Sequence, residues 1–228
     1  MLDLLLPQRC LLCGVGGTQL CPACRARLPP VAAPLCERCG APTAWSVQRC
    51  RECAGRRLAF ATARAAVVYD AEVSRLVAAW KEHGLRRLAD DAAALVAERL
   101  PTPAAEAVTF VPPDPHRALE RGYHPARRLA EALAERWELP CEPLLVRVRR
   151  SQRQRGLTLA DRRRNVRAAF RATTTARGTL LLVDDVYTSG ATADAAASAL
   201  RTAGAGRVDV LTFARALRSS GLVLERPR

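Results

Sequence analysis

The chain has 228 residues and carries 36 Lys and Arg against 22 Asp and Glu, a formal net charge of +14. That length supports one sizeable core plus a small accessory module, and no apolar run approaches the roughly 18 residues of a membrane helix, which argues against membrane insertion. The opening "MLDLLLPQRC" lacks a basic leading region and is broken by Pro7 and Arg9, so it does not read as a signal peptide and a cytoplasmic location is expected. Lys81 is the only lysine, so nearly all the positive charge is arginine, the side chain suited to bidentate phosphate contacts and hence to an anionic partner.

Eight of the nine cysteines fall into four C-x2-C pairs: Cys10 with Cys13, Cys21 with Cys24, Cys36 with Cys39, and Cys50 with Cys53. Each pair forms a knuckle presenting two thiolates, and two knuckles complete a tetrahedral zinc site. Short connecting loops favour sequential pairing, so the first four cysteines are expected to hold one Zn2+ and the next four another. A disulfide framework is the competing reading, and the repeated spacing favours zinc. Four thiolates leave no open position for substrate, so both ions are expected to be structural. Cys141 stands outside the pattern and reads as a packing residue. Residues 1–57 are thus expected to form a double zinc ribbon and residues 58–228 a second domain. Zinc ribbons bind nucleic acid or protein, and composition does not choose between them.

In the second domain "FATARAAVVYD" reads as a strand, and "AEVSRLVAAWKEHGLRRLADDAAALVAERL" as two helical stretches around Gly84. "AVTFVPP" is a second strand. A basic turn holding His116, Arg117 and Arg121 then leads into a helix that Pro125 can start and that ends before Pro140. "LLVRVRR" alternates as a strand, "SQRQRGLTLADRRRNV" reads as a long loop, and "AAFRA" is again a strand. From Arg147 to Arg171 there are ten arginines and one acid, Asp161. The alternation of strands and helices, closed by "RVDVLTFARA", implies a parallel sheet covered by helices, with ligands at the carboxyl ends of the strands.

The most informative stretch is "LLLVDDVYTSGAT", residues 180 to 192. Four apolar residues form a buried strand, and Asp184 and Asp185 must lie at its end, because successive side chains point to opposite faces and an unpaired buried carboxylate is costly. Thr188, Ser189, Gly190, Ala191 and Thr192 form a small-residue turn before an alanine-rich helix, an arrangement whose N–H groups and hydroxyls cradle an anion. The two acids repel phosphate and so serve another part of the ligand, either neighbouring sugar hydroxyls or a bound Mg2+.

This stretch resembles the phosphoribosyl-diphosphate (PRPP) signature of type I phosphoribosyltransferases. The resemblance implies that Asp184 and Asp185 hold the ribose hydroxyls, that residues 188–192 hold the 5'-phosphate, and that Mg2+ accompanies PRPP. Over essentially the whole chain the order of cysteine ribbons, the turn with Arg121, Gly122 and Tyr123, the loop with Gln154, Gly156, Leu157, Arg162 and Asn165, and the PRPP loop is similar to the ComF (ComFC) family of competence proteins. His124 and Pro125 depart from the asparagine and glutamine usual in that family. The implied fold class is α/β, a parallel-sheet phosphoribosyltransferase-like domain preceded by a small double zinc ribbon.

Arg117 and Arg121 follow a strand end and can meet a pyrophosphate, while Arg153, Arg155, Arg162, Arg163 and Arg164 can close over it or bind a nucleic-acid backbone. Each is also compatible with a solvated surface. The resemblance implies a competence protein that binds PRPP and single-stranded DNA during natural transformation, with a competence helicase or recombination mediator as partner. Trp45, Tyr123 and Trp137 are then the candidates for base stacking. Two alternatives use the same residues: an active phosphoribosyltransferase, for which "RALRSSGLVLERPR" after Phe213 is too short to build a base-binding hood, or a PRPP-sensing regulator.

Overall fold

The computed structural model describes residues 8–82, 85, 87–113, 123–148 and 169–217. After a short helix α1 (Pro22–Arg27), the chain runs through β1 (Thr62–Val68), α2 (Ala71–Glu82), α3 (Arg87–Arg99), β2 (Ala107–Phe110), α4 (Pro125–Arg136), β3 (Leu145–Arg147), β4 (Phe170–Ala172), β5 (Thr179–Tyr187), α5 (Ala191–Thr202) and β6 (Arg207–Arg215). Strands β1, β6, β5 and β2 form, in that order, a parallel sheet among the described residues. The α/β class and the preceding cysteine-rich segment follow the sequence expectation.

The central strands explain their composition. Leu180 to Val183 of β5 are buried on both faces of the sheet, as parallel strands between two helical layers must be. Leu181 and Val183 pack with α2, α3 and α4, whereas Leu180 and Leu182 pack with α5. On the first face α2 buries Val73, Leu76, Val77 and Trp80, one stripe at helical spacing, and α3 does the same with Leu88, Ala92, Leu95 and Val96. Each fully buried Leu or Val contributes about 1.5–3 kcal/mol, and the many alanines let helix backbones approach the sheet closely. Asp70 starts α2 by accepting from the Val73 N–H at 2.9 Å. Pro125 occupies the first turn of α4 as expected, and the cap before it is His124, whose Nδ1 accepts from the Arg127 N–H at 3.3 Å. Burial, then the nearby Arg127 charge, brings His124 down to about 4, so it caps the helix as the neutral imidazole.

The cysteine ribbons pack on the sheet. Cys10, Cys21 and Cys24 lie in the core under α2 and α3, and Cys36, Cys39 and Cys53 in the core under α5. The linking segment covers the edge of β1: the Val68 N–H donates to the Pro29 carbonyl at 2.8 Å and the Ala63 N–H to the Arg38 carbonyl at 2.9 Å. Gly40, at φ 69°, lies so close to β1 that any Cβ would strike the Ala63 carbonyl. At the opposite edge Val108 of β2 pairs with Cys141, whose half-buried position agrees with a packing role.

The expected strands in "LLVRVRR" and "AAFRA" are present as β3 and β4, but they pair antiparallel with each other outside the main sheet. The Val148 N–H donates to the Ala169 carbonyl at 2.9 Å, which extends this pairing by one bond. Arg147 ties the pair to the main sheet, with its guanidinium 4.6 Å from the Phe170 ring centroid and an N–H donated to the Pro112 carbonyl just beyond β2. Among the described residues no helix is long and apolar enough to cross a membrane.

Candidate functional site

The acid pair sits near the carboxyl end of β5, although the strand continues two residues past it, to Tyr187. The extension is held by β6, where Asp184 faces Thr212 and Tyr187 faces Arg215. Pleating then separates the carboxylates. Asp184 falls on the α5 face and lines a cleft with Val186, Tyr187, Thr188, Gly190, Thr192, Ala193 and Thr212. Asp185 falls on the opposite face, where its Oδ1 accepts from Lys81 Nζ at 2.8 Å. The Asp185 N–H turns back to Asp184 Oδ1 at 2.9 Å. Burial, reinforced by the neighbouring Asp185 charge, raises Asp184 from 3.8 to about 7. Lys81 and Arg147 act in the other direction on the same carboxyl.

Beyond Tyr187, Thr188 and Thr192 are exposed and Ser189 is half-buried. Gly190 takes φ 71° and ψ 8° and starts α5 without any side-chain cap. A Cβ at Gly190 would strike the Tyr187 hydroxyl, so the left-handed turn and the contact beneath it both call for glycine. Ser189 Oγ accepts from the Ala191 N–H at 3.4 Å, and the Thr192 and Ala193 N–H groups of the first turn, with the Thr188 and Thr192 hydroxyls, make a donor-rich cleft suited to a phosphate ester. The Asp184 carboxyl on its rim can accept from hydroxyls next to that ester.

Residues 184, 185 and 188–192 are therefore gathered at one end of the sheet. Arg117, Arg121, Arg153, Arg155, Arg162, Arg163 and Arg164 lie outside the described residues. Lys81 was missed as a site residue. Its only signal in the sequence is that it is the sole lysine, and nothing in a linear reading brings the end of α2 to the end of β5. Arg56, Thr212 and Arg215 were missed for the same reason. Of the stacking candidates, Trp45 is 71% exposed, whereas Tyr123 and Trp137 pack against the core.

The cysteines group as their order suggests, Cys10, Cys13, Cys21 and Cys24 in one set and Cys36, Cys39, Cys50 and Cys53 in the other, with sulfurs within 4.8 Å in each. Sulfur pairs stand at 3.6 Å for Cys13 with Cys21, 3.6 Å for Cys36 with Cys53 and 3.4 Å for Cys39 with Cys50. Bonds of about 2.3 Å to a tetrahedral zinc put sulfurs nearly 4 Å apart, whereas a disulfide needs about 2 Å. The donor sets thus fit two structural zinc ions. Burial pushes the Cys10 and Cys36 thiols up, but backbone N–H donors outweigh it and bring them down to about 6 and about 7. Each set thereby has a thiolate ready near neutral pH.

Comparison with known proteins agrees with the ribbon part of this organisation. Residues 1–54 match the double zinc ribbon domain family. The chain is 28% identical over 213 residues, 86% of this chain and 90% of the relative, to Competence protein F of Haemophilus influenzae. Among solved structures it is similar to the glutamine PRPP amidotransferase from B. subtilis complexed with ADP and GMP, with 25% identity and a TM-score of 0.39. That match covers 54% of this chain and only 25% of the amidotransferase. The full-length relative and the ribbon match bear out the resemblance to the ComF family.

Proposed function

We propose that this ComF-like chain binds PRPP at the end of β5 and handles single-stranded DNA in natural transformation. The observation that carries the PRPP half is the cleft itself, in which Asp184 stands beside the start of α5 behind Gly190, with Asp185 next to it on the opposite face of β5. Loop N–H groups and hydroxyls take the 5'-phosphate, and Asp184 and Asp185 accept from the ribose hydroxyls. Arg117 and Arg121 are the residues assigned to the pyrophosphate, which arrives with Mg2+. Competence rests on the likeness to Competence protein F, and DNA binding rests on Arg153, Arg155, Arg162, Arg163 and Arg164. Their charge suits a sequence-tolerant backbone contact. A competence helicase or recombination mediator is the corresponding protein partner.

The test is calorimetric titration of the zinc-loaded chain with Mg2+-PRPP and with single-stranded DNA, alone and together, beside a pyrophosphate-release assay. Saturable binding of both ligands without turnover supports the proposal. Asp184→Asn with Asp185→Asn should weaken PRPP binding strongly in a folded protein, and unchanged affinity would sink the site assignment. Steady pyrophosphate release would favour the phosphoribosyltransferase reading. Absence of DNA affinity at low salt would favour that enzyme or a PRPP sensor.

A further inference from the structure

The second ribbon is tied to the cleft by contacts that its own folding does not require. Arg56, three residues after Cys53, donates from Nη1 to the Ser189 carbonyl at 2.8 Å. The Ala59 N–H donates to Asp194 Oδ1, in the first turn of α5, at 2.7 Å. From the opposite side comes Arg215, the last residue of β6 and only 1% exposed. Its Nη1 donates to the Cys39 carbonyl at 2.6 Å and its Nη2 to Glu52 Oε2 at 2.8 Å. Its guanidinium carbon stands 4.5 Å from the centroid of the Tyr187 ring, and the Tyr187 hydroxyl supports Gly190.

The two partners of Arg215 come from different knuckles. Cys39 belongs to the C-x2-C pair of Cys36 and Cys39, whereas Glu52 lies between Cys50 and Cys53. A buried guanidinium needs both acceptors at once, since losing one leaves a charge without compensation. The knuckles present both together only while their four thiolates are drawn to one point, which is what a bound zinc ion does. The first ribbon is attached elsewhere: Pro29 joins β1, and Arg25 pairs with Glu98 of α3.

We propose that Arg56 and Arg215 are positioning residues through which the second four-cysteine ribbon sets the 188–192 loop, so that a phosphate ester is held there tightly only while that ribbon is intact. The ligand half of this statement rests on reading the loop as a phosphate site, whereas the mechanical coupling does not.

The experiment is hydrogen–deuterium exchange of the full zinc-loaded chain, read at residues 188–192, with ribose 5-phosphate titration of the same samples. Arg56→Ala should raise exchange in that segment and weaken ribose 5-phosphate by about tenfold, the scale of one charge-assisted hydrogen bond. Arg56→Lys, which keeps a donor for the Ser189 carbonyl, should restore both. Cys50→Ser should loosen the segment further, and if that variant does not fold, the Arg56 pair decides alone. Arg25→Ala, which cuts the first ribbon from α3, should leave residues 188–192 unchanged. Unaltered exchange in Arg56→Ala would overturn the coupling, as would equal loosening in Arg25→Ala. A wild-type protein that ignores both ribose 5-phosphate and PRPP would overturn the phosphate reading, while the exchange data would still decide the coupling.

Discussion

Lys81 Nζ donates to Asp185 Oδ1 at 2.8 Å, so the only lysine of the chain ties the last turn of α2 to the carboxyl end of β5. The side chains retain 28% and 15% exposure. Solvent therefore screens the pair, and its contribution to stability is about 1 kcal/mol or less. Its value lies in orientation. Lys81 fixes the direction in which the Asp185 carboxylate points.

Lys81→Met should accordingly leave the thermal midpoint nearly unchanged but weaken PRPP binding about three- to tenfold, the range of a lost charge-assisted contact. Lys81→Arg should recover part of that loss. Calorimetry beside thermal unfolding separates the two effects, and wild-type affinity in Lys81→Met would show that Asp185 needs no such support.

The raised Asp184 pKa makes stability depend on pH in a definite direction. The folded protein holds a proton on this carboxyl up to about 7, whereas the unfolded chain releases it near 3.8. Between those values the native state binds more protons, so this contribution to stability is complete below the window and is lost as pH rises through it. Asp184→Asn should flatten that part of the pH–stability curve, measured as thermal midpoints from pH 4 to 8. PRPP affinity should move the other way and improve above pH 7, because the carboxylate is the better acceptor for ribose hydroxyls.

Elemental analysis should find two zinc ions per chain, one for each set of four cysteines. Because the cysteines lie in the cores on both sides of the sheet, chelation should lower the melting temperature of the whole chain in one transition. A separate early transition confined to residues 1–57 would instead mark the ribbons as an independently folding unit.

Replacing Arg153, Arg155, Arg162, Arg163 and Arg164 by Gln should weaken single-stranded DNA binding equally for unrelated sequences. Each lost phosphate contact should flatten the log–log salt dependence by about 0.7. PRPP affinity should fall less. The opposite pattern, with PRPP lost and the DNA salt line unmoved, would assign these arginines to closure over pyrophosphate.

Where the determinants are local, the sequence by itself decided the outcome. C-x2-C spacing brings two sulfurs together within one short turn, so both metal sites were legible as linear patterns. Four apolar residues followed by two acids and a small-residue turn read as a buried strand whose end carries the acids, and Pro125 marked the start of α4 through its fixed φ. What the tertiary structure alone decided are meetings between residues far apart in the chain. Lys81 reaches Asp185, Arg56 reaches Ser189, and Arg215 joins two knuckles of a ribbon more than 150 residues earlier. Periodicity reports which face of an element is apolar, but not which element will cover it. The same limit hid the pairing of β3 with β4 and the placement of the two ribbons on opposite faces of the sheet. Those choices follow from packing the whole chain at once, because a buried guanidinium or a strand edge is satisfied by whichever polar group the fold brings to it.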